Sequence, residues 1–211
     1  MKTTLSRVAG AIAIAVFLRV PAQAQDFQHS YAVGAGGRVR VGNISGDVIV
    51  TGYNGDTIMI RGYKEGRDRD RVQVEDLSSA DRVDVRVKYP ESCNCDASVR
   101  FEVSVPQSVR YNFERLSSVS GNVSVEFSRI EGSASMKFSS VSGNVSVKAP
   151  GELDADIEMS TVSGSLKTDF PIEVLERRYG PGRSARGRLG SGVSNLRITT
   201  VSGRVSLIRA N

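Results

Sequence analysis

Apolar residues recur at every second position through much of this chain, in short runs separated by glycine, serine, asparagine or proline. Period two places successive side chains on opposite faces and predicts strands with one buried face. The clearest runs flank a Val/Ile-Ser-Gly core found at Ile44-Ser45-Gly46, Val119-Ser120-Gly121, Val141-Ser142-Gly143, Val162-Ser163-Gly164 and Val201-Ser202-Gly203. Five residues before each glycine stands an apolar residue: Val41, Leu116, Phe138, Met159 or Ile198. Two residues after it stands another: Val48, Val123, Val145, Leu166 or Val205. The alternation extends outward through Val39, Met136, Ile157 and Leu196 on one side and Val50, Val125, Val147 and Leu207 on the other, with Glu114 and Thr168 as interruptions. Each copy therefore predicts two short strands joined at a bend. Gly46, Gly121, Gly143, Gly164 and Gly203 are read as structural turn residues with positive φ, followed by a polar residue (Asp47, Asn122, Asn144 or Ser165) that satisfies backbone groups near the bend. Arg204 does not fit that role.

The spacing of the copies predicts how they assemble. SSVSGNVSV occurs twice, letter for letter, and the glycines follow at intervals of 22 (Gly121 to Gly143) and 21 (Gly143 to Gly164) residues. Repeats of that length signal a solenoid, in which equivalent residues of successive coils lie directly above one another. The expected fold is all-β: a single-domain β-solenoid with coils of about 21–22 residues. The interval from Gly164 to Gly203 is 39, and the excess, about 170–192, is read as an insertion loop leaving one coil. The interval from Gly46 to Gly121 is 75, so 25–106 are expected to form irregular strands and 107–211 the regular repeats.

The first 24 residues stand apart. A basic start (Lys2, Arg7), an apolar run from Val8 to Leu18 and the small-residue exit Ala22-Gln23-Ala24 predict a signal peptide cut after Ala24. The run is too short for a bilayer, which needs about 20 residues. The mature chain, 25–211, is then expected outside the cytoplasm, in the periplasm or secreted, with no membrane span. Removing Lys2, Arg7 and Arg19 lowers the basic count from 28 to 25 against 23 acidic residues, so the net charge falls from +5 to +2. So balanced a surface offers no general field for nucleic acid, and no nucleic-acid motif is present.

VGNISGDVIVTGYNGDTIMIRG near the start, a strand ending at Val105-Pro106, the VSGNVSV coils and RLGSGVSNLRITTVSGRVSL at the end together resemble the bacterial putative-adhesin family of unknown function, whose members are secreted or envelope proteins with β-strand repeats. The resemblance covers nearly the whole mature chain. It implies a β-solenoid related to autotransporter adhesin heads and implies no catalytic residues.

Four features carry candidate chemistry. Cys93 and Cys95 are the only cysteines; an exported protein meets oxidising surroundings, which favours a local disulfide if Asn94 sits in a bend, with a reducible redox pair, a soft-metal chelate or free thiols as the other readings. Arg177, Arg178, Tyr179, Arg183, Arg186 and Arg188 concentrate positive charge in the insertion, either as a solvated loop or as a binding loop for an acidic partner, since guanidinium forks match carboxylate and phosphate. Asp154, Asp156 and Glu158 alternate with apolar residues and share an outward face, read as a solubilising surface or a weak calcium site. His29 is the sole histidine, close to the cleavage site and expected to be frayed, so no Ser-His-Asp set exists within the chain. The sequence thus points to a non-enzymatic, adhesin-like interaction or envelope scaffold protein without a cofactor or metal, with an envelope protein or glycan as partner. The alternatives are a carbohydrate-active β-helix enzyme, or a redox or metal role for the cysteine pair.

Overall fold

The computed structural model describes residues 26–107, 111–130, 132–176 and 182–210, with the backbone alone over 174–176. The expected signal peptide, 1–24, lies outside the described residues. Fifteen strands form one continuous hydrogen-bonded sheet. It folds over at the repeat corner into two faces that enclose one apolar core.

On the first face the parallel order is β6 (Arg82–Lys88), β2 (Gly37–Gly42), β8 (Tyr111–Ser120), β10 (Ser135–Ser142), the first half of β15 (Ser194–Arg209) and the first half of β12 (Ala155–Thr168). On the second face it is β7 (Ser98–Pro106), β3 (Val48–Tyr53), β9 (Val123–Glu126), β11 (Val145–Ala149), then the second halves of β15 and β12. Each pair of matching strands is one coil of a β-solenoid. Equivalent apolar positions stack as the repeat predicts: Val41, Leu116, Phe138, Ile198 and Met159 are fully buried, as are Val48, Val123, Val145 and Val205 across the core.

The coils do not follow one another in chain order. The final coil, β15, lies between β10/β11 and β12, so the copies at Gly143 and Gly164 are separated by the copy at Gly203. At the other end β6 and β7 form a coil that precedes β2 and β3 in space although it follows them in sequence. The region 25–106, expected to be irregular, therefore contributes two coils that stack in parallel with the rest, with one register shift where β2 meets β8.

Antiparallel strands close both ends. β4 (Ile58–Glu65) lies on β7 with β1 (Phe27–Tyr31) outside it, and β5 (Gln73–Asp76), after a 3-10 turn at Arg69–Arg71, lies on β6. At the far end β14 (Arg183–Leu189) lies on β12 and β13 (Glu173–Glu176) on β14. This corrects the expectation of an insertion loop over about 170–192. Its described residues include the strands β13 and β14, because β12 would otherwise present a bare row of backbone donors and acceptors. Ala185 is fully buried and Phe170 nearly so, as part of the core.

The interruption at Glu114 has a local cause. Pairing shifts there, with Val39 opposite Phe113 and Val41 opposite Leu116, so two residues of β8, Glu114 and Arg115, face one of β2. Such a β-bulge turns Phe113 inward in place of Glu114. Phe113, Phe127 and Phe138 then pack with ring centroids 5.4–6.1 Å apart.

Candidate functional site

The repeat corner is built as four parallel columns, each with its own chemistry. The first is the glycine column. A Cβ on Gly121, Gly143, Gly203 or Gly164 would lie 2.1, 2.1, 2.2 or 1.8 Å from a carbonyl oxygen, that of Gly46, Gly121, Gly143 and Gly203 respectively. On Gly46 it would lie 2.4 Å from the carbonyl oxygen of Val99. Close approach of one coil to the next is what demands glycine. Backbone angle adds to it at Gly46 (φ 106°) and Gly203 (φ 145°), whereas Gly143 and Gly164 have no left-handed φ, which corrects the expectation of positive φ at every copy.

The second column, three residues before each glycine, holds the carbonyls. Ser118 Oγ donates to Gly46 O at 2.9 Å, Ser140 Oγ to Gly121 O at 2.8 Å, Thr200 Oγ1 to Gly143 O at 2.9 Å and Thr161 Oγ1 to Gly203 O at 3.2 Å. Asn43 closes one end through Nδ2, to Gly46 O at 2.8 Å and Val99 O at 2.6 Å. These five polar side chains are buried, and a buried polar group without a partner would cost stability. The third column follows the glycines. Asp47 Oδ1 accepts from Asn122 N–H (2.7 Å), Asn122 Oδ1 from Asn144 N–H (3.0 Å) and Asn144 Oδ1 from Arg204 N–H (2.9 Å). Arg204, having no acceptor, ends the ladder by donating through Nε to Ser165 Oγ at 3.2 Å.

The fourth column faces solvent. Ile44, Val119, Val141, Val201 and Val162, the first residue of each repeat core, are 41–50% exposed. Register places them on adjacent rungs beside an equally regular row, Ser45, Ser120, Ser142, Ser202 and Ser163. Parallel rungs are about 4.8 Å apart, so the aliphatic ridge extends about 19 Å. Alternation alone did not single it out: the two residues before each glycine sit in the bend, where period two ends.

Of the arginines expected to form a binding loop, Arg183, Arg186 and Arg188 have partners within the protein. Arg177, Arg178 and Tyr179 lie outside the described residues. Arg183 donates to Gly164 O at 3.0 Å, at the end of the glycine column where no further coil supplies a hydroxyl. Arg186 pairs with Glu158 at 2.7 Å, and Arg188 grips Asp156 with two bonds of 2.7 and 3.0 Å. Arg197 also reaches Glu158, at 3.5 Å. Asp154 accepts from Ser191 Oγ (2.7 Å), Gly192 N–H (2.6 Å) and Val193 N–H (3.0 Å). The three acids once open to a calcium reading are thus engaged in holding β14 and the following turn against β12. No group of three potential metal ligands occurs among the described residues. The Ser191 hydroxyl bond and those backbone donors hold the Asp154 carboxyl below the usual carboxylate range, and the Arg188 fork does the same for Asp156.

Cys93 and Cys95 occupy the corner of the β6–β7 coil, in place of a Val-Ser-Gly. Their Cα atoms are 5.1 Å apart and their sulfurs are joined. The bend is held by Cys93 N–H on Pro90 O at 3.3 Å and by Tyr89 OH on Ala97 O at 2.8 Å, and Ser92 adopts φ 56°. His29 is not frayed: it lies in β1, stacked on Phe27 with centroids 4.8 Å apart, its Nδ1 3.0 Å from Asp76.

Comparison with known proteins adds the family. A crystal structure of a putative cell adhesion protein from Clostridium sporogenes superimposes with a TM-score of 0.54 at 9% identity, over 87% of this chain and 99% of that one, a likeness of fold alone. A putative adhesin from Bacteroides fragilis, 11% identical over 86% of this chain and 96% of its own, has a TM-score of 0.28, too low to support an argument. No curated protein matches this chain. No helix among the described residues is long and apolar enough to cross a membrane. The Toastrack DUF4097 family model matches residues 35–208, and the chain belongs to that family.

Proposed function

We propose that this protein is a non-enzymatic, adhesin-like interaction module of the bacterial envelope, exported by the signal peptide over 1–24 and engaging an envelope protein or glycan through its repeat corner. One observation carries the reading: the five-rung aliphatic ridge of Ile44, Val119, Val141, Val201 and Val162 is exposed beside a serine row at constant spacing. Each of these five side chains could be serine or threonine without touching the core, so the apolar surface is not a by-product of folding. Exposed contiguous apolar surface rimmed by polar residues marks interaction sites. The name given to the Clostridium sporogenes protein of the same fold points the same way.

The test is a Val119→Ser, Val141→Ser, Val201→Ser triple variant of the mature protein, with binding to an immobilised envelope fraction measured against the parent chain. The variant keeps its melting temperature and strand signature and loses retention at least tenfold. Equal retention by a folded triple variant refutes the ridge as the contact surface.

A further inference from the structure

The first face of the solenoid carries a second surface, separate from the corner ridge. Three strands place six outward positions there as a grid: Asp84, Arg40 and Arg115 in one row, and Arg86, Gly42 and Ser117 in the next. Five of the six carry a side chain able to bond a polar ligand. The sixth is Gly42, and around it opens a cavity of about 290 Å³ lined by Arg40, Asp84, Arg86, Glu114, Arg115 and Ser117 over the Val41–Gly42 backbone.

Nothing in the fold requires glycine at this position. Gly42 has no left-handed φ, and an added Cβ would meet only Arg86 Cγ, at an ordinary 3.7 Å. The contrast with the corner glycines is sharp, since those abut backbone at 1.8–2.4 Å. The next positions along the same row, Ser117, Ser139, Thr199 and Ser160, all carry hydroxyls. Gly42 closes β2 between Arg86 and Ser117, which lie inside their own strands, and a glycine within a sheet commonly marks close approach by a ligand.

Charge around the cavity is asymmetric. Asp84, an outward residue only 1% exposed, has both oxygens taken by Arg86, at 2.9 and 2.8 Å. Glu114, displaced outward by the β-bulge, is held by Arg40 Nε at 2.5 Å. These contacts hold Arg86 and Arg40 on the rim of the cavity. Arg115 on the wall, and Lys137 on the neighbouring strand β10, enter no ion pair with the described residues, so the centre of the face has cationic side chains without carboxylates to match them. A guanidinium presents a planar fork suited to carboxylate.

We infer that the Gly42 cavity is a binding site for the carboxylate of an acidic glycan, a uronate polymer, with Arg115 on the carboxylate and the sugar chain lying along the hydroxyl row from Ser117 to Ser160. The glycan chemistry rests on that row: hydroxyls at a constant rung spacing of about 4.8 Å offer repeated hydrogen-bond partners perpendicular to the strands. The site neither uses nor needs the corner ridge, and it stands or falls apart from the function proposed above.

The experiment is calorimetric titration of the mature protein with galacturonate and glucuronate oligomers, their methyl esters, a sulfated neutral glycan and single-stranded DNA, each at physiological salt. At least one uronate oligomer binds, and its methyl ester, which keeps the shape and loses the charge, binds at least tenfold more weakly. Gly42→Thr, which fills the cavity with the residue type of its own row, keeps the parent melting temperature and loses at least tenfold in affinity; Arg115→Ala does the same. The ridge triple variant binds the uronate as the parent does, which separates this site from the corner. The inference is overturned if the parent chain binds no uronate oligomer, if the ester or the sulfated glycan or DNA binds as tightly, or if folded Gly42→Thr retains full affinity.

Discussion

Replacing Gly143 by alanine is the most direct test of the stacked corner. The substitution adds a single methyl group, and the backbone angle there is not one that excludes alanine. Steric contact alone opposes it: the new Cβ would lie 2.1 Å from Gly121 O and 2.7 Å from Gly121 C, against the 3.4 Å at which ordinary contact begins. Relief requires the two coils to part locally by about 1.3 Å. The bonds that tie these rungs are Gly121 N–H to Ser142 O at 3.1 Å, Val123 N–H to Asn144 O at 2.9 Å and Ser140 Oγ to Gly121 O at 2.8 Å. Stretched by that amount they exceed bonding distance. Two or three lost bonds at about 0.5–1.5 kcal/mol each, one involving a buried hydroxyl, give a destabilisation of about 2–4 kcal/mol. In a domain of this size that lowers the melting temperature by about 5–15 °C. Gly151→Ala is the control: its Cβ meets nothing within 4 Å and its φ is not left-handed, so it should stay within about 0.5 kcal/mol of the parent. Thermal melts followed by circular dichroism decide. If Gly143→Ala melts with Gly151→Ala, the coils do not stack as closely as described and the explanation of the glycine column is wrong.

Three further predictions follow from the ends and the odd corner of the solenoid. Replacing Pro171 to Gly190 by a short Gly/Ser linker removes β13 and β14, bares the edge of β12 and deletes buried Ala185, so the truncated protein should melt lower and self-associate in sedimentation experiments; a monomer of parent stability would show that the hairpin is dispensable. Asp154 and Asp156 have carboxyl pKa values below their unfolded values, so their contribution to stability is present above about pH 4 and fades as pH falls through the lower folded values; an Asp154→Asn, Asp156→Asn variant should lose less melting temperature between pH 5 and pH 2 than the parent, and parallel pH curves would contradict this. Protein purified without reductant should have an intact mass two hydrogens below the dithiol, and Cys93→Ser with Cys95→Ser should cost about 1.5 kcal/mol or less because the closed loop is so short; two alkylatable thiols in the native protein would remove the bridge.

Much of this architecture is local and therefore legible along the chain. Period-two alternation identified the buried residues of nearly every coil, because a strand can turn only one face to the core. The Val-Ser-Gly interval gave the coil length, since each coil must return to the same corner. The interruption at Glu114 was visible, although its cause, a bulge that admits Phe113, depended on pairing with β2. What the sequence could not supply was the order of the coils. The corners at Gly143, Gly164 and Gly203 offer similar carbonyl and hydroxyl groups to a neighbour, so their spacing does not say which copy lies on which, although Arg204, which lacks an acceptor, already sets the copy at Gly203 apart. Only the two ends of the stack, where β12 needed the cover of β14 and β7 that of β4, placed β15 inside and fixed the sequence of rungs. The same tertiary choice decided the arginines. Arg183, Arg186 and Arg188 read as a surplus of charge on a loop until β14 lay against β12 and brought Gly164 O, Glu158 and Asp156 within reach. The grid around Gly42 was equally hidden, because it joins Asp84 and Arg86 to Arg40 and to Glu114 and Arg115 across strands distant in sequence, and long-range pairing leaves no periodic trace in any one of them.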